Sequence, residues 1–170
     1  MGSGISGKYS GTIKKSQPYS NLYSVCDDLL DLDKKDQDIY NPITGYFKNP
    51  TATNLLESII GNGIYRNGKR IDGTITYVMD ENGNIIFGAR QNPNNPGKRS
   101  PHPTLIGGRN PKVQCAGMIT FSKGKIVSID NKSGHFKPNI MSMKKIDDFM
   151  KKLYDTKPEI FSVKSKWRKK

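Results

Sequence analysis

Apolar positions recur at two different periods along the chain. In YSNLYSVCDDLLDLDKKD, residues Leu22, Val25, Leu29 and Leu32 lie three or four apart. That spacing predicts a helix, with Ser20 or Asn21 as its N-cap. In TATNLLESIIGNG, Leu55, Leu56, Ile59 and Ile60 share one helical face, with Thr53 as a cap and Gly61 or Gly63 as a stop. From residue 71 the period falls to two. DGTITYVMDENGNIIFGARQ reads as two strands around Asn82-Gly83, a pair that tolerates positive φ and so favours a hairpin. VQCAGMITFSKGKIVSIDN reads as a second hairpin turning at Ser122-Lys123-Gly124. The helical period returns at Met143, Ile146, Phe149, Met150 and Leu153, and EIFSVKSKWRKK reads as a last short strand with a basic tail. The expectation is an α+β fold: N-terminal helices, an antiparallel sheet of about four to five strands, then a C-terminal helix.

The Gly/Ser-rich opening makes residues 1–18 a flexible arm or linker. Residues 19–170 are expected to form a single basic domain. Its helical part covers about 19–63, its sheet part about 71–137, and its helix and basic tail 139–170. Hydrophobic residues make up 34% of the chain and aromatics 9%, enough for one modest core. No apolar run approaches the roughly 18 residues of a membrane span. No secretory signal pattern opens the sequence, so export would need another route, such as a larger parent polypeptide.

Charge sharpens this picture. Residues 1–60 hold 6 basic and 7 acidic residues, a balance of −1. Residues 61–170 hold 22 and 8, a balance of +14. A field of that size attracts polyanions and makes binding salt-dependent, with nucleic acid the first candidate and an acidic protein the second. An anionic membrane ranks third, because no basic amphipathic helix with a bulky apolar face stands out. Cys26 and Cys115 are too few and too far apart for a disulfide framework, and Cys115 sits in a strand pattern that suits a buried thiol. Without CxxC or a histidine cluster no metal site is expected, and no cofactor is implied.

The chain has two histidines, each in a loop beside cations. His102 lies in RSPHPTLIGG, fixed between two prolines and followed by Thr104, Gly107, Gly108, Arg109 and Lys112. His135 lies in NKSGHFKP, between Ser133 and Lys137. Arg90 closes the first hairpin. Two imidazoles with nearby cations are the parts of metal-independent RNA cleavage. One takes the proton of the 2′-hydroxyl, the other protonates the leaving 5′-oxygen, and a cation stabilises the charged transition state. His102, His135 and Lys137 form the expected catalytic set, with Ser133 orienting it. Arg90, Arg109, Lys112 and Thr104 are expected to hold substrate, and Trp167, set among basic residues, to stack on a base. The plainer readings are an ordinary turn at Ser133-Gly134-His135, a kinked loop at His102 and a frayed basic end around Trp167.

Over residues 101–139, PHPTLIGG…VQCAGMITFSKGKIVSIDNKSGHFKPN resembles C-terminal toxin domains of bacterial polymorphic toxins of the Rhs and related contact-dependent types. The shared series is His-x-x-Leu, Ala-Gly, a glycine-turn hairpin, then Ser-Gly-His-aromatic-x-Pro, and it covers under a third of the chain. The resemblance implies a domain secreted as part of a larger protein and acting in the target-cell cytoplasm in interbacterial competition, with a cognate immunity protein as partner. A small basic two-histidine domain is also similar in kind to ribonuclease toxins of the barnase, EndoU, colicin and RelE types, by analogy alone. A similar Ala-Gly…Ser-Gly-His-Tyr-x-Pro series occurs in plant IQ-motif calmodulin-binding proteins, although this chain has no evident IQ helix. The leading expectation is a monomeric, metal-independent ribonuclease acting on RNA, with tRNA among the candidate targets. Two alternatives stay open: an ADP-ribosyltransferase or other NAD-consuming toxin, and a non-catalytic module that binds nucleic acid or an acidic protein.

Overall fold

The computed structural model describes residues 18–24, 40–41, 46–47, 52–66, 68–88, 112–133, 136 and 138–168. Its centre is a five-stranded, wholly antiparallel sheet. The strands are β4 (Thr53–Asn54), β8 (Gly73–Met79), β9 (Ile85–Gly88), β11 (Cys115–Ser122) and β12 (Lys125–Ile129), ordered β12-β11-β8-β9-β4. Both expected hairpins form. In the first, Met79 pairs with Ile85 across a turn that Asp80 ties off, its Oδ1 accepting from the backbone N–H groups of Asn82 and Asn84, both at 2.9 Å. In the second, Ser122 pairs with Lys125, and Lys123 and Gly124 both take positive φ, as a two-residue turn of primed type requires.

Smaller pairings surround the sheet. β1 (Tyr23–Ser24) pairs with β10 (Lys112–Val113), and β2 (Tyr40–Asn41) pairs with β3 (Tyr46–Phe47). β5 (Ile59–Ile60), β6 (Gly63–Arg66) and β7 (Lys69–Arg70) form a three-stranded meander. One α-helix, α1 (Met143–Thr156), occurs among the described residues.

Strand alternation divides the core in two. Tyr77, Met79, Ile85, Phe87, Cys115, Ile119 and Phe121 point to one face, where they pack with Met143, Ile146, Met150 and Leu153 of α1 and with Ile160, Phe161 and Trp167. A bulge in the β11–β12 pairing at Thr120/Phe121 brings both Ile126 and Ile129 to that face, although they are three positions apart. On the opposite face Val78 and Ala116 pack with Tyr23, Val113 and Phe136, with Ile86 against them.

The sequence reading needs three corrections. TATNLLESIIGNG is not an α-helix: it forms β4, a 3₁₀ turn over Leu56–Ser58, and β5. Thr53 caps no helix; Leu55 is the N-cap residue of the 3₁₀ turn, and the Asn54 Oδ1 before it accepts from the Leu56 N–H. Gly61 takes φ +58° between β5 and β6, and the hairpin turn prevails over the helical spacing. Second, no helix starts at Ser20 or Asn21. The Ser20 hydroxyl donates to the Leu22 carbonyl, and Tyr23–Ser24 is extended; the remainder of that expected helix lies outside the described residues. Third, the expected last strand reduces to one parallel bridge between Ile126 and Phe161, after a 3₁₀ turn at Pro158–Ile160.

Candidate functional site

At the end of the sheet near Met79, Cys115 and Ile129, the chain leaving β12 crosses over β11. The Asp130 N–H donates to the Met118 carbonyl, and its Oδ1 accepts from the N–H groups of Met118 and Lys132, both at 2.9 Å. The Tyr77 hydroxyl donates to the Asp130 carbonyl at 2.6 Å. Burial pushes the Asp130 carboxyl above its usual range, against the pull of those two backbone N–H groups. The crossing is so close that a Cβ on Gly117 would stand 2.6 Å from the Asp130 carbonyl carbon and 2.8 Å from the Asn131 Cα. Glycine is the residue that lets two backbones meet there. The Ala-Gly of the sequence series is therefore in contact with Asp130-Asn131, two residues before Ser133.

Beyond the crossing, Asn131 is buried, its Nδ2 donating to the Pro138 carbonyl at 3.1 Å. Ser133 is 1% exposed, and its Oγ accepts from the Phe136 N–H at 3.3 Å. Phe136 fills the smaller cluster together with Val113 and Tyr23. The Tyr23 hydroxyl bonds the Ser142 hydroxyl at 2.6 Å and accepts from the Asn139 and Ser20 N–H groups, joining β1 to the entry of α1. One side of that junction carries basic residues: Lys145 donates to the Asn21 carbonyl and lies over the Tyr19 ring.

The candidate residues distribute as follows. Ser133 is buried beside Phe136, whose N–H donates to its hydroxyl. Lys112 is half-buried in β10 opposite Ser24, adjacent to Val113. His102, His135, Lys137, Arg90, Arg109 and Thr104 lie outside the described residues. Trp167 belongs to the other cluster. It is 7% exposed, its ring is edge-on to Phe161 at 5.9 Å, Lys166 lies over it at 5.2 Å, and its Nε1 donates to Asp147 at 2.8 Å. The indole packs on and hydrogen-bonds to the α1 side of the sheet. Tyr23, Gly117 and Asn131 were not singled out as functional from the sequence. Only Gly117 had a signal, the Ala-Gly of the recurring series.

Cys115 is fully buried, and desolvation pushes its thiol up to about 11 despite the Tyr77 hydroxyl beside it, so it serves the core. Among the described residues no three His, Cys, Asp or Glu side chains cluster as a metal site would need, and no helix is long and apolar enough to cross a membrane. Comparison of the chain with family models, with curated proteins and with solved structures finds no match.

Proposed function

We propose that this protein is a metal-independent ribonuclease toxin domain whose acid/base pair is His102 and His135. The observation that carries the reading is the shared cluster of Val113 and Phe136. Phe136 directly follows His135, and Lys112-Val113 closes the segment that contains His102, Thr104 and Arg109. Described residues that flank the two histidine segments thus pack together at one end of the sheet. The +14 balance of residues 61–170 supports a polyanionic substrate.

In this reading one imidazole accepts the proton of a 2′-hydroxyl as that oxygen bonds to phosphorus. The P–O5′ bond breaks, and the other imidazolium protonates the departing oxygen. The products are a 2′,3′-cyclic phosphate and a 5′-hydroxyl, with no net proton change. Lys137, Arg109, Lys112 and Arg90 stabilise the phosphate, and Ser133 holds the turn. Delivery as part of a larger protein and neutralisation by an immunity protein belong to the same proposal.

The test is incubation of the purified protein with total RNA and tRNA in EDTA. Cyclic-phosphate ends are expected, and His102→Ala or His135→Ala should reduce the rate by 10²-fold or more, on the order of one general acid or base. Intact RNA at every salt concentration would reject the reading. NAD loss in a lysate, or nucleic-acid binding indifferent to both alanine substitutions, would point to the two alternatives.

A further inference from the structure

The opposite end of the sheet carries a second basic feature. Arg70 of β7 lies flat against two glycines: a Cβ on Gly63 would stand 2.8 Å from its Cζ, and one on Gly124 would stand 3.1 Å from its Cγ and Nη1. Its guanidinium sits 5.3 Å from the Tyr65 ring centroid, donates from Nη2 to Asn62 Oδ1 at 2.6 Å and from Nη1 to the Lys123 carbonyl at 3.2 Å. Lys125 reaches the same Asn62 through its carbonyl, at 2.6 Å, and also the Glu159 carbonyl. Arg168 donates to the carbonyls of Pro158 and Phe161, on either side of Glu159.

Three cations are thus held in place by neutral oxygens. A carbonyl fixes a cation without cancelling its charge, whereas a carboxylate does both. The Glu159 carboxylate is the acidic group acting on Lys125, and Asp72 accepts from the Lys123 N–H nearby. The crowding shows in Lys125, whose ammonium is pushed below its usual range by desolvation and by the charges of Arg70 and Arg168. An arriving anion relieves that repulsion.

We propose that Arg70, Lys125 and Arg168 form a contact site for the phosphodiester backbone of RNA, at the end of the sheet opposite Cys115 and Met79. The seven residues from Cys115 to Phe121 span about 20 Å of strand, so a nucleic-acid strand bound at both ends would cover the domain with several nucleotides. The planar forks of two arginines suit phosphate oxygens, and a preorganised fork loses little rotamer freedom on binding. That the strand is RNA rests on the ribonuclease reading. The site itself needs only a nucleic acid.

Fluorescence anisotropy with a short labelled 2′-O-methyl RNA tests this, because that probe lacks the 2′-hydroxyl needed for cleavage. Arg70→Gln and Arg168→Gln should each weaken binding by about three- to tenfold at moderate salt, and each should flatten the log K against log salt plot by about 0.7, the single-strand value for one phosphate contact. Arg70→Lys should restore the slope and recover part of the affinity. Unchanged affinity and slope in folded variants, a lowered melting temperature as the sole effect, or weakened binding of polyglutamate with RNA binding intact would each overturn the site. Parallel cleavage assays on unmodified RNA separate the two proposals. Arg70-sensitive binding without cleavage removes the ribonuclease and keeps the site; cleavage with Arg70-insensitive binding does the reverse.

Discussion

Gly117 shows most plainly how one residue type serves the site. Its missing Cβ admits the Asp130–Asn131 backbone over β11, and that crossing directs the chain toward the Ser133 turn. Gly117→Ala should therefore destabilise the fold by about 1–3 kcal/mol, the usual cost of overpacking, measured by urea unfolding. It should also lower activity at temperatures where the protein stays folded. Tyr23 plays a second local role, since one hydroxyl bonds Ser142 and accepts from two backbone N–H groups. Tyr23→Phe removes that hub and should cost about 1–3 kcal/mol, the range for stranding buried polar partners. Phe136→Ala should cost more, about 3–5 kcal/mol, because a fully buried ring leaves a cavity between Tyr23 and Val113.

At the scale of elements, α1 is locked to the sheet through its polar side as well as its apolar stripe. Asp147 is half-buried, and burial alone would raise its carboxyl. The hydrogen bonds from the Trp167 indole, Lys151 and Lys166 outweigh that, and the carboxyl is held below its usual 3.8. A carboxyl depressed in the folded chain contributes stability above pH 3.8, and this contribution is lost as pH falls through the lower folded value. Trp167 is the one tryptophan in the chain, so its fluorescence reports the change. The emission should stay constant above pH 3.8 and shift as the solution is acidified below it. Asp147→Asn should lower stability at neutral pH and abolish that dependence.

Elements were legible where pattern and turn chemistry agreed. The two hairpins had period two with Asn-Gly or Lys-Gly at their tips, and α1 had a sustained apolar stripe. Residues 53–60 were not legible as strands, because the doublets Leu55-Leu56 and Ile59-Ile60 fit a helical face as well as paired strands. Leu55 is buried while Leu56 and Ile60 are exposed, a distinction that only tertiary packing makes. The junction of Tyr23 with Val113 and Phe136 was equally hidden, since it joins segments far apart in sequence. The packing of Trp167 was hidden as well, because a basic flank says nothing of what the indole itself packs against.

For the whole molecule, the sheet separates two cores and carries basic groups toward both ends: Lys112 at one, Arg70, Lys125 and Arg168 at the other. A strand of nucleic acid bound along this length should show steep salt dependence, with affinity falling linearly on a log-log plot as phosphate contacts are lost. The central claim is the proposal that His102 and His135 meet over one phosphate. Because the chain has two histidines, their NMR titrations can be assigned with single substitutions. Two imidazolium rings within reach of one phosphate repel each other, so each disfavours protonation of its neighbour. His102→Ala should raise the titration midpoint of His135, and His135→Ala should raise that of His102. Two midpoints that each stay unchanged when the other ring is removed would contradict a shared site.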